Sequence, residues 1–352
     1  MLLWGSILAV LSSAFFALNS ATVRRGVLTG SVAQALAITV PVGVPMFFLG
    51  ALALGSLGDV FGFSTTDVLM LSAAGVVHFV WGRYCNYRAT KAIGSNASIP
   101  LQNLDFPLKL GLAIVILGEV LTPLRIFGIA LIMLGSAIAI PRRRIKTKSE
   151  PSAAITTSTT GEGVTQSASA AAPATTAKPV FVPKYVEGYT FAALSVTGYG
   201  FSPLLIRATL ENASIGTSLA GGLISYMAAT LVIMAIWLKP GQFQHVISVN
   251  RNSVKWFLLS AVFVGLSHMC RYAALAMVPV TVVAPLQRAG SLFRVIFNWI
   301  LNRQYEIFEP RLLAGILVSV LGGVSLSLTT NFVVSHIPLS QAILDIIDWT
   351  WP

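Results

Sequence analysis

The sequence predicts an all-α membrane protein with ten transmembrane helices, arranged as two inverted five-helix repeats. Three observations carry this expectation. Of 352 residues, 55% are apolar and only 10% charged, with a mean hydropathy of +0.79. A soluble domain carries about 25% charged residues, so too few polar side chains remain here to cover a water-soluble core. Ten apolar runs recur along the chain, each near the roughly 20 residues that cross a bilayer core. Finally, the two halves align when one is shifted by about 185 positions.

The runs lie near 3–22, 32–54, 67–88, 97–118 and 122–141, then 188–207, 214–238, 254–277, 280–301 and 311–330. Turn formers or charges bound each of them. The first resembles a secretory h-region, but no basic residue precedes it and Arg24 and Arg25 follow it. Its charge stands on the wrong flank for a cleaved signal, so a retained helix is expected. Cys85 and Cys270 both sit in apolar runs, which indicates no disulfide framework.

Between the fifth and sixth runs the composition changes. Residues 142–184 open with Arg142, Arg143, Arg144, Lys146 and Lys148 and continue through Ser, Thr, Ala and Pro. Such a stretch has too little apolar surface to offset its ordering entropy. The expected domains are a first repeat over 1–141, a linker over 142–187, a second repeat over 188–330 and a tail over 331–352. The tail carries Asp345, Asp348, Trp349 and Trp351 and reads as an interfacial segment.

The internal match is local and specific. A shift of 185 places Cys85, Tyr87, Ala89, Pro100, Leu101 and Gln102 on Cys270, Tyr272, Ala274, Pro285, Leu286 and Gln287. A shift of 187 pairs Gly128 and Gly135 with Gly315 and Gly322. Five spans per copy turn the second copy upside down, the plan of many secondary transporters, whose substrate site lies at the midplane between repeats.

Each half also resembles an EamA-type unit of the drug/metabolite transporter superfamily. The resemblance rests on Trp4-Gly5, the run from Pro107 to Glu119, and Gly128 with Gly135 in the fifth span. It covers about 3–141 and 188–330. It implies a ten-helix carrier that moves small metabolites by alternating access. The second copy departs at Gln304, which stands where Glu119 maps, so the Leu-Gly-Glu turn has no symmetric counterpart.

Loop charge sets the expected orientation. Of the 23 basic residues, 16 fall on one face, including Arg24, Arg25, Arg88, Lys91, the linker cations, Arg303 and Arg311. The other face has Arg125 and Arg207, and five lie within spans. Basic loops stay cytoplasmic, so the linker is expected inside and both termini outside, in a multi-pass protein of the cell (inner) membrane.

Charges within spans are costly and by default mark a functional site. Here they are Arg83, Asp105, Lys109, Arg271, Arg288 and Arg294. Lys109 and Arg294 are 185 apart, as are Gln102 and Gln287, and each glutamine lies seven residues before its cation. Seven residues is nearly two turns, so each pair shares a helix face, and Ser291 and Asn298 extend the second stripe. Two cationic, amide-lined faces are therefore expected to meet at mid-membrane. A local alternative is an i, i+4 pair between Asp105 and Lys109, while Arg83 and Arg271 could snorkel to the two surfaces and Arg288 could bond helix-end carbonyls. The expected substrate-binding set is Lys109, Arg294, Gln102, Gln287, Asp105, Arg288, Ser291, Asn298, Tyr87 and Tyr272. His78 and His268 are proton-coupling candidates, because histidine is the side chain that ordinarily changes charge near neutral pH and few other titratable groups are deep.

These features favour a secondary-active transporter for a small anionic or zwitterionic metabolite such as an amino acid, carboxylate or organophosphate. The competing carrier reading is an exporter of neutral or cationic compounds anchored by Asp105. A channel is a third reading. An intramembrane enzyme lacks paired deep carboxylates, and no zinc-protease or P-loop signature occurs in the chain. No catalytic residue, cofactor or metal is expected, and nucleic acid is not an expected partner. The expected partners are a small-molecule substrate, the bilayer and protons, with the protein a monomer or homodimer.

Overall fold

The computed structural model describes residues 2–105, 107–108, 111–112, 123–139, 182–278, 283 and 286–327. Every regular element among them is helical. Lys109, Pro285, most of the linker and the tail after Ser327 lie outside the described residues.

Helix α1 spans Leu2–Gly26. The second apolar run is divided by Pro41 into α2 (Val32–Thr39) and α3 (Gly43–Ala53), because proline lacks the N–H that continues a helix. Ser31 starts α2 with a capping box to Gln34. The third run is α4 (Thr65–Gly75), a π-helical turn over Val76–Gly82 and α5 (Arg83–Ile93). Gly94, at φ +90°, reverses the chain into α6 (Ser95–Gln102), which carries Pro100 and stops after eight residues. Helix α7 follows at Pro123–Ala139.

Beyond the linker come α8 (Tyr185–Leu210), α9 (Ile215–Trp237), the short α10 (Gln242–Ile247) and α11 (Arg251–Met277). The last two are α12 (Ala289–Asn302) and α13 (Pro310–Ser327). Within the expected 280–301 run, Val283 and Leu286 are helical, a turn follows at Gln287 and Arg288, and α12 begins at Ala289. Among the described residues, five segments are long and apolar enough to cross a membrane: Leu3–Gly26, Val32–Ala53, Thr65–Ile93, Ile215–Trp237 and Arg251–Met277.

Helix α12 shows which solvent the bundle expects. Its buried residues are Ser291, Arg294, Asn298 and Asn302, spaced three to four apart, while Leu292, Ile296, Trp299 and Ile300 point outward. Polar inside and apolar outside inverts the pattern of a water-soluble helix and suits a lipid surround.

Packing is close where glycines meet. Helices α7 and α13 run antiparallel, with a Cβ at Gly135 only 2.5 Å from the Gly315 carbonyl oxygen, and one at Gly315 2.5 Å from the Gly135 carbonyl oxygen. Helix α1 packs along α11, through Ser12 on Ser267 and Asn19 on Ser260. Helix α5 packs against α8, where Ile93 lies over Gly188.

The segments around Arg24, Lys91 and Glu306 meet one another. There the Glu306 carboxylate lies 3.1 Å from Arg24 Nε and accepts the N–H groups of Ser95 (2.7 Å) and Asn96 (2.8 Å), the first turn of α6. Arg24 also donates to the Thr90 and Tyr305 carbonyls. Nearby, Lys91 donates to Gly30 and Ser31 meets His245.

Candidate functional site

The two helix breaks position the polar residues. Helix α6 ends at Gln102 and the chain turns through Asn103 and Leu104, while α12 begins after the turn at Gln287–Arg288. Side chains from both breaks, with α1, α8 and α11, enclose a cavity of about 100 Å³. Gln102, Asn103 and Asp105 line one side, and Gln287, Arg288, Ser291 and Arg294 another. Ser12, Ser13 and Phe16 of α1, Tyr199 of α8, and Ser267, His268 and Arg271 of α11 close it, with His78.

Arg294 is 7% exposed. Its Nη1 donates to Gln102 Oε1 at 2.7 Å, and its guanidinium carbon sits 5.7 Å from the centre of the Phe16 ring, within cation–π range. Its Nε has no hydrogen-bond partner among the described residues. Gln102 is itself oriented, since its amide donates to Asn86 Oδ1 at 2.7 Å and Asn86 donates to Tyr199 at 3.0 Å. The glutamine therefore presents its oxygen to the cation. The link runs from α6 across to α12, whereas the sequence groups each glutamine with the cation of its own helix.

Asp105 is held by Arg288, whose Nη2 donates to Oδ1 at 2.8 Å. Arg288 Nη1 also donates to Asn103 Oδ1 at 3.0 Å. Arg288 thus bonds side chains of the other break. Asp105 has a cationic partner 183 residues away, which no i, i+4 rule anticipates.

Arg271 turns inward, 8% exposed, and does not snorkel. Its Nη1 lies 3.3 Å from His78 Nε2. A guanidinium has only donors, so Nε2 accepts, and the ring proton resides on Nδ1, 2.8 Å from Ser202 Oγ. His78 is neutral in this arrangement. Arg271 Nη2 has no partner among the described residues, and neither ring nitrogen of His268 has one. The His78 and His268 rings meet edge to face at 5.0 Å.

Other expected site residues lie elsewhere. Tyr87 is buried against α1, with its hydroxyl 3.3 Å from Asn19 Oδ1, and Tyr272 packs edge-on to Phe47 at 5.6 Å. Asn298 donates to Asn96 and accepts from Asn302, both at 2.8 Å. None of these three lines the cavity: the first two fill apolar packing, and Asn298 fastens α12 to α6. Arg83 also stays inside, donating to the Thr39 carbonyl at 3.1 Å and the Tyr226 hydroxyl at 3.0 Å. Phe16, Asn103, Tyr199 and Arg271 join the site although the expected set omits them. Arg271 carried a signal, because it stands 185 positions after the buried Asn86. Among the described residues, no cluster of three or more His, Cys, Asp or Glu could hold a metal.

A cavity lined by arginines and amides, inside helices with lipid-facing apolar surfaces, defines a helical membrane protein with a charged internal site. Residues 3–140 match the EamA-like transporter family, to which this part of the chain is similar. The apolar helices among the described residues mark a multi-pass membrane protein. No curated protein matches the chain significantly. Solved structures do, with 21 matching chains. One, described only as a crystal structure of a protein, aligns over 91% of this chain and 94% of its own at 16% identity, with a TM-score of 0.55. That likeness concerns the fold alone.

Proposed function

We propose that the protein is a secondary-active carrier of a small anionic or zwitterionic organic metabolite, built from two inverted five-helix repeats. The observation that carries this reading is the charge of the cavity. Three arginines and one aspartate line it among the described residues, and a buried charge without a counter-charge is costly until a ligand supplies one. The Asp105-anchored alternative is less favoured, because a cation would have to displace Arg288 from Asp105.

Contacts between the halves support the inverted arrangement. The backbone contacts of Gly135 with Gly315 and of Gly128 with Gly322 exchange under the 187-residue shift, as a local two-fold axis requires. Likewise α1 packs on α11 while α8 packs on α5. Asn103 and Arg288, which are hydrogen-bonded, are themselves 185 positions apart. The breaks beside Gln102 and Gln287 fit the discontinuous helices that line midplane substrate sites.

Flux in proteoliposomes tests the reading with glutamate, succinate and glycerol phosphate as probes. Uptake of one of them is expected to saturate and to accelerate when the same solute is loaded on the opposite side. Flux that neither saturates nor counter-exchanges would make the protein a channel. Saturable flux of neutral or cationic solutes alone would move the anchor to Asp105. Orientation is tested separately. A Ser158→Cys protein is expected to resist an impermeant maleimide in intact cells, and ready labelling would reverse the topology.

A further inference from the structure

Resting on the anion-carrier reading, we infer that the cavity selects a compact dianion over a monoanion, with Arg271 and Arg294 each taking one unit of its negative charge. The three arginines are not equivalent. Arg288 is committed to Asp105 at 2.8 Å. Arg271 and Arg294 have no carboxylate within ion-pair distance among the described residues, and their protein partners are neutral: the imidazole of His78 and the amide of Gln102. Each retains a buried N–H group with no partner, Arg271 through Nη2 and Arg294 through Nε. The described lining therefore carries two positive charges in excess.

Burial makes that excess selective. A buried charge without a counter-charge is costly, so a monoanion, which compensates one guanidinium, leaves the second positive charge uncompensated. A dianion satisfies both. The two arginines stand on different helices, α11 and α12, and line the cavity together with Phe16, Tyr199 and the two histidines. Phe16 faces Arg294 on one hand and His268, at 6.4 Å between ring centres, on the other. A ligand bridging the arginines thus meets aromatic side chains of the same lining as well as the two charges. The matching chemistry is either two carboxylates on a short chain or one dianionic phosphoryl group, and succinate and methyl phosphate represent the two.

Equilibrium binding to the purified full-length protein at pH 8 tests the inference, with butyrate as the monoanion of succinate's size. Succinate or methyl phosphate is expected to bind at least tenfold more tightly than butyrate. Arg271→Gln is expected to bring that dianion to within about threefold of butyrate, while Arg271→Lys restores part of the gap. The comparison on unaltered protein stands even if the Gln variant fails to fold. Butyrate binding as tightly as both dianions would overturn the inference and leave the anion carrier intact. Binding of none of the three, with saturable flux only of neutral or cationic solutes, would overturn both.

Discussion

Arg294→Gln is expected to weaken binding of an anionic substrate by about 10- to 100-fold while leaving the protein inserted and folded. Charge-assisted hydrogen bonds contribute about 1.5–3 kcal/mol each, and every 1.4 kcal/mol is tenfold in affinity. Glutamine keeps a hydrogen-bonding head in place of the guanidinium, so the amide of Gln102 can still be met. The lost quantities are the charge and its stacking on Phe16. Calorimetric titration on protein of normal elution and melting behaviour checks this. An unchanged dissociation constant in a well-folded variant would remove Arg294 from the binding site and return it to a scaffold role.

Glu306→Ala is expected to be the most destabilising single change outside the cavity. Glu306 and Arg24 are almost wholly excluded from solvent, with side-chain exposures of 0% and 1%. Removing one partner of a buried pair costs about 3–5 kcal/mol, because the other charge stays buried. Alanine also leaves the Ser95 and Asn96 N–H groups without their carboxylate acceptor, at the positive end of α6. Glu306→Gln, which retains an acceptor, should fall between. Unfolding titrations in mixed micelles read the difference. A loss below about 1 kcal/mol would mean that the Thr90 and Tyr305 carbonyls suffice for Arg24.

The bundle was legible in the sequence where hydropathy alone decides the outcome. The bounds of α7 (Pro123–Ala139) and α9 (Ile215–Trp237) fall within a few residues of their apolar runs, because lipid solvation rewards the whole segment and not particular side chains. Polar positions were legible only as stripes. Periodicity puts Gln287, Ser291, Arg294 and Asn298 on one face, but it does not give depth, so it cannot tell that Arg294 reaches the cavity while Asn298 meets Asn96. Long side chains add a further uncertainty of direction. The apolar runs 67–88 and 254–277 put Arg83 and Arg271 within a turn or two of their ends, where snorkelling is the local solution, yet both turn inward to acceptors supplied by distant segments. Partners such as Asp105 and Arg288, 183 residues apart, are set by how the halves dock, which no local spacing encodes.

The polar inner stripe of α12 also bears on how the chain reaches its membrane. An arginine at the centre of an isolated helix opposes insertion by roughly 2.5–3.5 kcal/mol, and α12 adds Ser291, Asn298 and Asn302 on the same side. Its partners for these groups, Gln102 and Asn96 of α6 and the Ala21 carbonyl of α1, were synthesised 192 to 281 residues earlier. During biogenesis α12 is thus a poor guest for the bilayer until the first half is in place to receive it. Insertion of the C-terminal helices becomes a docking event, and a C-terminal half expressed by itself should leave α12 stranded at the translocon.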